Sequence, residues 1–306
     1  MVRPAIVLVD KPTGVTSHDV VSRARKAFGT RKIGHAGTLD PMATGLLVLG
    51  VEGATRLLTY LVGLDKTYLA IIRLGQSSST DDADGELSTQ QDVSQITAAQ
   101  LASAVTGFTG VISQVPSSVS AIKVDGRRAY DRVRAGEDVQ LKARQVTVSR
   151  FEVLDSRPLG TVVDVDVAVD CSSGTYIRAL ARDLGAELGV GGHLIALRRT
   201  HVGPFDVADA AAIDNIANPA DADAGTDSPS VLSPARVASD VLGELAVTAA
   251  EAQDLRHGKR LPGAADRLNG ADHRAAIDPG GALVGIVGAR GADIRSVMNM
   301  PEEACP

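Results

Sequence analysis

Asp40 stands inside GHAGTLDPMATGLLVL, residues 34–49, and is the residue in this chain best framed to do chemistry. Gly34, Gly37 and Gly45 permit tight turns, and Pro41 fixes φ directly after the carboxylate. An apolar strand follows. A carboxylate on such a loop can meet a ligand closely and act as nucleophile or base. Asp-Pro is also an ordinary turn dipeptide, and on the residues alone both readings stay open. Other chemistries find less support. Cys171 and Cys305 lie far apart, with no CxxC or Cys/His cluster, so neither a disulfide framework nor structural zinc is suggested. His18, His193, His201, His257 and His273 form no metal-spaced set; His193 and His201 are expected to pack or to meet phosphate. TDDADGELSTQQ, residues 80–91, puts Thr80 first and Gln91 twelfth when Gly85 is sixth, the wrong ligands for a calcium loop. Ser172-Ser173-Gly174 lacks the GxSxG frame and reads as a helix N-cap. GxGxxG and P-loop patterns are absent.

The elements that must hold these residues follow from periodicity. Residues 5–10 read as a strand ending in a Lys-Pro-Thr-Gly turn. Thr16 and Asp19 form a capping-box pattern, opening a helix with Val20, Val21, Ala24, Ala27 and Phe28 on one face and Gly29 at its end. Residues 45–63 read as strand, turn and helix, because Glu52, Arg56 and glycines interrupt the apolar run. Residues 67–74 suggest a buried strand and 97–107 a short helix. Val163, Val165, Val167 and Val169 alternate with Asp164, Asp166, Ala168 and Asp170, which predicts a half-buried strand with a solvent face. The helix after Gly174 carries Ile177, Leu180, Ala181, Leu184 and Leu188 on one stripe. Further on, a helix over 248–256 precedes two strands around an Asp-Pro-Gly-Gly turn, with IRSVMNM as another strand. Strands and helices mix without regular βαβ alternation, so an α+β fold with a mixed β-sheet and flanking helices is expected, followed by a small β-rich C-terminal domain.

Length and charge bound the rest. The 306 residues suggest about two domains, and with aromatics at 3 % and no Trp the core must rest on Val, Leu, Ile and Ala. We place the division at 1–230 and 231–306, with an acidic linker over about 206–230. The apolar run Ala5 to Val9 is too short for a signal or a membrane span, and a reducing cytoplasm is expected. Net charge is −6, yet residues 202–235 hold six Asp and no Lys or Arg, so the remainder is neutral overall. Residues 20–39 carry five basic side chains and no acid; residues 122–144 carry seven basic and four acidic, a net of +3. Local patches matter most to a polyanion, because salt screens charges beyond about 10 Å.

With these residues on the page, the chain resembles the TruB family of pseudouridine synthases. Residues 34–49 look like its catalytic motif. DKPTGVTSHDVV (10–21), DKTYLAIIRLG (65–75), TDDADGE (80–86), QVPSSVSAIKVDGRRAYDRVRAGEDV (114–139), CSSGTYIRALARDLG (171–185) and HLIALRRTHVGPF (193–205) follow in family order. The resemblance implies that Asp40 is the catalytic aspartate. It implies that Tyr68 packs on the target base and moves a proton, and that Arg178 pairs with the catalytic carboxylate. His35 would help fill the gap left by an extruded base. Gly37, Leu39, Lys123, Tyr176 and Leu197 would join the substrate-binding set, together with Arg127 and Arg128 in an RNA-clamping insertion over about 114–145. The C-terminal part would be a PUA-like RNA-binding domain. The implied reaction breaks the N1–C1′ bond of a uridine, rotates the uracil and rejoins it through C5. The implied substrate is the T arm of tRNA, with its target base flipped out of the helix. No step needs a metal, nucleotide or redox cofactor. We expect a monomer that requires no guide RNA, protein partner or membrane. A guide-RNA-dependent dyskerin-type enzyme is the same-chemistry alternative, though such proteins carry N-terminal extensions. A non-catalytic RNA-binding protein on the same scaffold is disfavoured by the joint presence of Asp40, Tyr68 and Arg178. An unrelated metal-dependent hydrolase lacks a ligand set.

Overall fold

The computed structural model describes residues 2–117, 123–124, 127–128, 141–216 and 230–301. The linker segment 217–229 and most of the basic insertion lie outside the described residues. In chain order the elements are β1 (Ala5–Lys11), α1 (Ser17–Phe28), β2 (Ile33–Ala36), β3 (Thr44–Val51), α2 (Leu58–Val62), β4 (Lys66–Leu74), α3 (Ala98–Gly107), β5 (Gly110–Gln114), β6 (Lys123–Val124), β7 (Arg127–Arg128), β8 (Arg144–Leu159), β9 (Val162–Cys171), α4 (Ile177–Glu187), β10 (Gly192–Val202), β11 (Phe205–Asp206), β12 (Ala211–Ala212), β13 (Val231–Leu232), α5 (Pro234–Leu242), β14 (Glu244–Ala246), α6 (Ala249–Arg256), β15 (Arg274–Ile277), β16 (Leu283–Arg290) and β17 (Asp293–Asn299). Strands and helices are mixed without βαβ repetition, so the fold is α+β. The chain forms two compact units, residues 1–63 with 201–306, and residues 64–200.

In the first unit β1 runs antiparallel to β3, and β3 to β2, while β12 joins β1 in parallel, so the sheet is mixed. The capping box forms as expected: Asp19 N donates to Thr16 Oγ1 at 3.0 Å and Thr16 N donates to Asp19 Oδ2 at 2.8 Å. Gly29 ends α1 at φ +68°, in the left-handed region that Gly enters without a Cβ clash. Val20, Val21, Ala24 and Phe28 close on Val7, Val9, Leu47 and Leu49 of the sheet. Ala27, placed on that face by periodicity, is exposed instead: it lies beyond the width of the stripe that the sheet covers. The C-terminal part is a four-stranded sheet, β14-β15-β16-β17, its own core built from Leu245, Ala252, Leu255, Leu261, Val284, Val287 and Ile294. The Asp-Pro-Gly-Gly turn joins β15 to β16. There the Asp278 carboxylate accepts from Gly280 N at 2.9 Å and Ala282 N at 3.0 Å.

In the second unit the strand order is β10-β4-β9-β8-β5. β9 forms where the valines alternate, but its acidic face is not simply solvated. Arg73 of β4 grips Asp164 with two bonds of 2.7 and 2.8 Å, Arg150 of β8 grips Asp170, and Arg157 of β8 grips Asp166. Asp164 is consequently buried, since its charge is matched in bidentate geometry. Hydrogen bonds from Arg157, and secondarily its charge, hold the Asp166 carboxyl below the usual carboxylate range. A depressed carboxyl pKa contributes stability above its unfolded value, about 3.9, that is lost as pH falls through the folded value. We therefore expect Arg157→Ala to narrow the stability difference between pH 6 and pH 3, read by urea unfolding at each pH. An unchanged difference would show the pair to be inert.

Candidate active site

Asp40 opens a tight turn: Ala43 N donates to Asp40 O at 3.1 Å, with Pro41 supplying the fixed φ at the second position. Asp40 itself is half-buried. The turn is fastened by the segment that follows β1. Lys11 is fully buried, and its ammonium donates to Pro12 O at 2.9 Å, Val15 O at 2.8 Å and Pro41 O at 3.3 Å. Gly14 N reaches Pro41 O at 2.8 Å, and Thr13 Oγ1 reaches Met42 O at 3.2 Å. Ser17, at the start of α1, brackets one peptide unit: its Oγ accepts Leu39 N at 2.8 Å and donates to Leu39 O at 3.1 Å. The Lys-Pro-Thr-Gly turn is thus a cradle for the Asp40 loop, a role the sequence reading did not assign to it. Gly37 bends the loop at φ +86°, which Gly adopts without strain. Leu39 is buried beside Asp40, and His35 lies on β2, half-buried.

In the second unit the other expected residues gather on β4, α4 and β10. Tyr68 lies on the buried face of β4 with Lys66, Ala70 and Ile72, and 8 % of it is exposed. Leu197 is buried on β10. Tyr176 is the N-cap of α4, and Arg178 falls in its first turn. The N-cap expected from Ser172-Ser173-Gly174 is not formed. Ser172 instead joins the loop to β8, with Thr147 N donating to its Oγ at 2.9 Å and its own N–H reaching Thr147 O at 2.8 Å, so it cannot face the helix. Lys123 lies on β6, and Arg127 and Arg128 on β7; the two short strands pair antiparallel.

Arg178 is 4 % exposed and bound from the acidic turn. It donates to Thr80 O at 2.8 Å and forms an ion pair with Asp82 at 3.2 Å. The other Asp82 oxygen accepts from Thr80 Oγ1 at 2.5 Å and Asp84 N at 3.1 Å. One turn further along α4, Arg182 pairs with Asp81 at 3.1 Å. Two consecutive aspartates therefore face two arginines spaced i, i+4, the spacing that puts both on one helix face. In the sequence TDDADGE shows only the wrong ligands for a calcium loop and a place among the family-like blocks. Its structural work is to brace the catalytic-candidate arginine. Two acids before a Gly turn and two arginines at helical spacing were visible signals, but nothing in the sequence joined them. His193 does pack, its Nδ1 lying 2.8 Å from Gln76 O, and His201 pairs with Asp206 at 3.1 Å. Burial pushes the Cys171 thiol up to about 11, so this cysteine is no nucleophile at neutral pH. Among the described residues no cluster of three potential metal ligands occurs, and no helix is long and apolar enough to cross a membrane.

Helix α4 is set by close backbone packing at its far end. A Cβ on Gly185 would lie 2.1 Å from Gly192 N, and one on Gly192 would lie 2.6 Å from Ala181 O. Only glycine lets the helix of Arg178 meet the start of β10 so closely. We expect Gly185→Ala to lower the unfolding free energy by about 2–3 kcal/mol despite the better helix propensity of Ala. Urea titration would measure it, and a neutral result would mean the backbone relaxes freely there.

The α+β fold with a mixed sheet, the aspartate on its fastened loop and the buried arginine braced by a carboxylate are compatible with a scaffold of the pseudouridine-synthase class. Comparison with known proteins gives the family. Residues 25–177 match the TruB family pseudouridylate synthase N-terminal domain, residues 178–235 the tRNA pseudouridylate synthase B C-terminal domain, and residues 243–301 the tRNA pseudouridine synthase II C-terminal domain. The chain is 50 % identical over 306 residues to tRNA pseudouridine synthase B of Leifsonia xyli subsp. xyli, covering 99 % of this chain and 98 % of that one. It is 56 % identical over 256 residues to the protein of the same name from Cutibacterium acnes, covering 84 % of each. A solved H/ACA ribonucleoprotein bound to a substrate RNA containing 2′-deoxyuridine shares the fold, with a TM-score of 0.68 at 22 % identity over 98 % of this chain and 86 % of that one. The chain belongs to the TruB family of tRNA pseudouridine synthases, which makes it an RNA-modifying isomerase.

Proposed function

We propose that this enzyme converts the T-arm uridine at the position conventionally numbered 55 in tRNA to pseudouridine, with Asp40 as the essential carboxylate. The observation that carries the reading is the Asp40 turn. Two carbonyls flanking it, Leu39 O and Pro41 O, and the Leu39 N–H are held by Ser17, Lys11 and Gly14, so the carboxylate is presented on a fixed frame. Preorganisation of this kind is what a displacement at an anomeric carbon needs. An ionised carboxylate can attack the sugar or base, or remove a sugar proton to start glycal formation. The Tyr68 ring can stack on uracil while its phenol moves a proton, which Phe could not do. Arg178 supplies a cation held in place by Asp82, and His35 and Leu197 serve the extruded base and its pocket. Residues 1–230 carry the catalysis. The basic strand pair carrying Lys123, Arg127 and Arg128 clamps the RNA, and residues 231–306 add RNA contacts. The family models meet between residues 235 and 243, a few residues beyond the division proposed at 230.

The reaction as proposed uses no metal or organic cofactor, no guide RNA and no protein partner, and runs in the cytoplasm on a monomer. The test is positional. Purified protein in EDTA should place one pseudouridine in an unmodified tRNA transcript, at position 55, and none in a transcript with cytidine there. Modification at another uridine of the same transcript would overturn the assignment of substrate.

A further inference from the structure

Gln114 is the last residue of β5, at the root of the basic insertion, and 1 % of it is exposed. Its carboxamide grips a single residue at two points. Nε2 donates to Tyr176 O at 3.0 Å, and Oε1 accepts the Tyr176 N–H at 2.9 Å. The two partners also fix which end of the carboxamide is which. Tyr176 is the N-cap of α4 and caps it with no side-chain bond, so the helix start is oriented from outside by this contact. The next residue acts in the same sense: Arg182, one turn beyond Arg178, donates to Val115 O at 2.7 Å. Across the insertion, Gln114 pairs with Arg144 on the adjoining strand, which anchors the gripping residue to the sheet.

We propose that Gln114 is a positioning residue for the isomerisation, holding the Tyr176 peptide and through it the turn of α4 that carries Arg178. This rests on the proposed roles of Tyr176 and Arg178 in the reaction. The chemistry makes the effect separable from RNA affinity, because both bonds act on the helix start and come from a buried carboxamide. A misplacement of about 1 Å in a catalytic group costs on the order of 100-fold in rate.

Gln114→Met keeps the length and removes both bonds. Gln114→Glu keeps the acceptor for Tyr176 N–H but, when ionised, turns a second acceptor toward Tyr176 O. Protonated, the same Glu offers an O–H to that carbonyl and restores both contacts, and burial favours the protonated form. The charged groups around this contact, Arg144 opposite position 114 on the adjoining strand, Arg182 with Asp81 and Asp183, and Arg178 with Asp82, are common to parent and variant. The ratio of their rates therefore isolates position 114.

The experiment is single-turnover pseudouridine formation on a tRNA transcript at saturating enzyme, with Kd from filter binding and the fold checked by circular dichroism. Gln114→Met should slow the saturating rate by about 10- to 100-fold with Kd within about threefold of the parent. The rate of Gln114→Glu relative to the parent should rise at least about tenfold from pH 8 to pH 6. A Gln114→Met rate within twofold of the parent overturns the proposal, as does a loss confined to Kd. A pH-independent Gln114→Glu ratio overturns it too, and decides the matter should Gln114→Met fail to fold. A parent inactive on tRNA overturns the functional reading and this proposal with it; an active parent with indifferent variants overturns this proposal alone.

Discussion

Asp40→Asn abolishes pseudouridine formation, a loss of about 1,000-fold or more, while tRNA binding stays within a few-fold of the parent. The substitution is isosteric; it removes the charge and turns one acceptor oxygen into a donating NH2. Lys11, Ser17, Gly14 and Thr13 hold the loop through main-chain atoms at Leu39, Pro41 and Met42. The frame therefore survives the change of side chain, and a fall in rate is attributable to the missing carboxylate. An amide can neither attack the sugar nor take its proton at neutral pH. Release of tritium from 5-tritiated uridine in a transcript measures turnover, and filter binding measures affinity. Normal turnover by the variant would show that another group does the chemistry.

Arg178→Met costs about 3–5 kcal/mol of unfolding free energy. Arg178 and Asp82 are both almost wholly inaccessible, and removing the cation strands a buried carboxylate. Thr80 and Asp84 still donate to one Asp82 oxygen, which offsets part of the penalty and keeps the loss within that range. Pairing Arg178→Met with Asp82→Asn should recover about 1–3 kcal/mol, because the stranded charge goes with its partner. Urea unfolding of the parent, both single variants and the double variant gives the coupling directly. Additive losses would mean that the ion pair contributes nothing beyond its separate hydrogen bonds. A buried pair of this kind gives little net stability over an apolar replacement. Its presence fits a role in holding a cation in one orientation, and both single variants should also be slow in turnover.

What the sequence made legible is what short-range rules govern. The Thr16–Asp19 cap, the Gly29 stop, the alternating valines of β9 and the Asp-Pro-Gly-Gly hairpin depend on neighbours within four or five residues. β8 was missed although it is sixteen residues long. Its pairing with β9 shifts register between Val148 and Arg150 and again between Val153 and Asp155, so no single period of two runs through RQVTVSRFEVLDSRPL. β10 was also missed, because an apolar start is followed by Arg198 and Arg199, and Arg199 is buried against expectation. At the site, the glycine-framed Asp40 loop was visible. The residues that hold it and its counterparts were not: Lys11 reaches Pro41, Asp82 reaches Arg178, and Gln114 reaches Tyr176 across 30 to 96 positions of chain. Such contacts exist only once the sheets are assembled, and no local pattern announces them. The Ser172 misreading has the same origin, since a β8 not foreseen could not be credited with its hydroxyl.

The most direct measurement is a crystal structure of the protein with a T-arm RNA carrying 5-fluorouridine at position 55. The account predicts that nucleotide turned out of its stack, with its sugar or base in contact with the Asp40 carboxylate. A uridine still stacked in the arm, or extruded where no atom of Asp40 can reach it, would contradict the account.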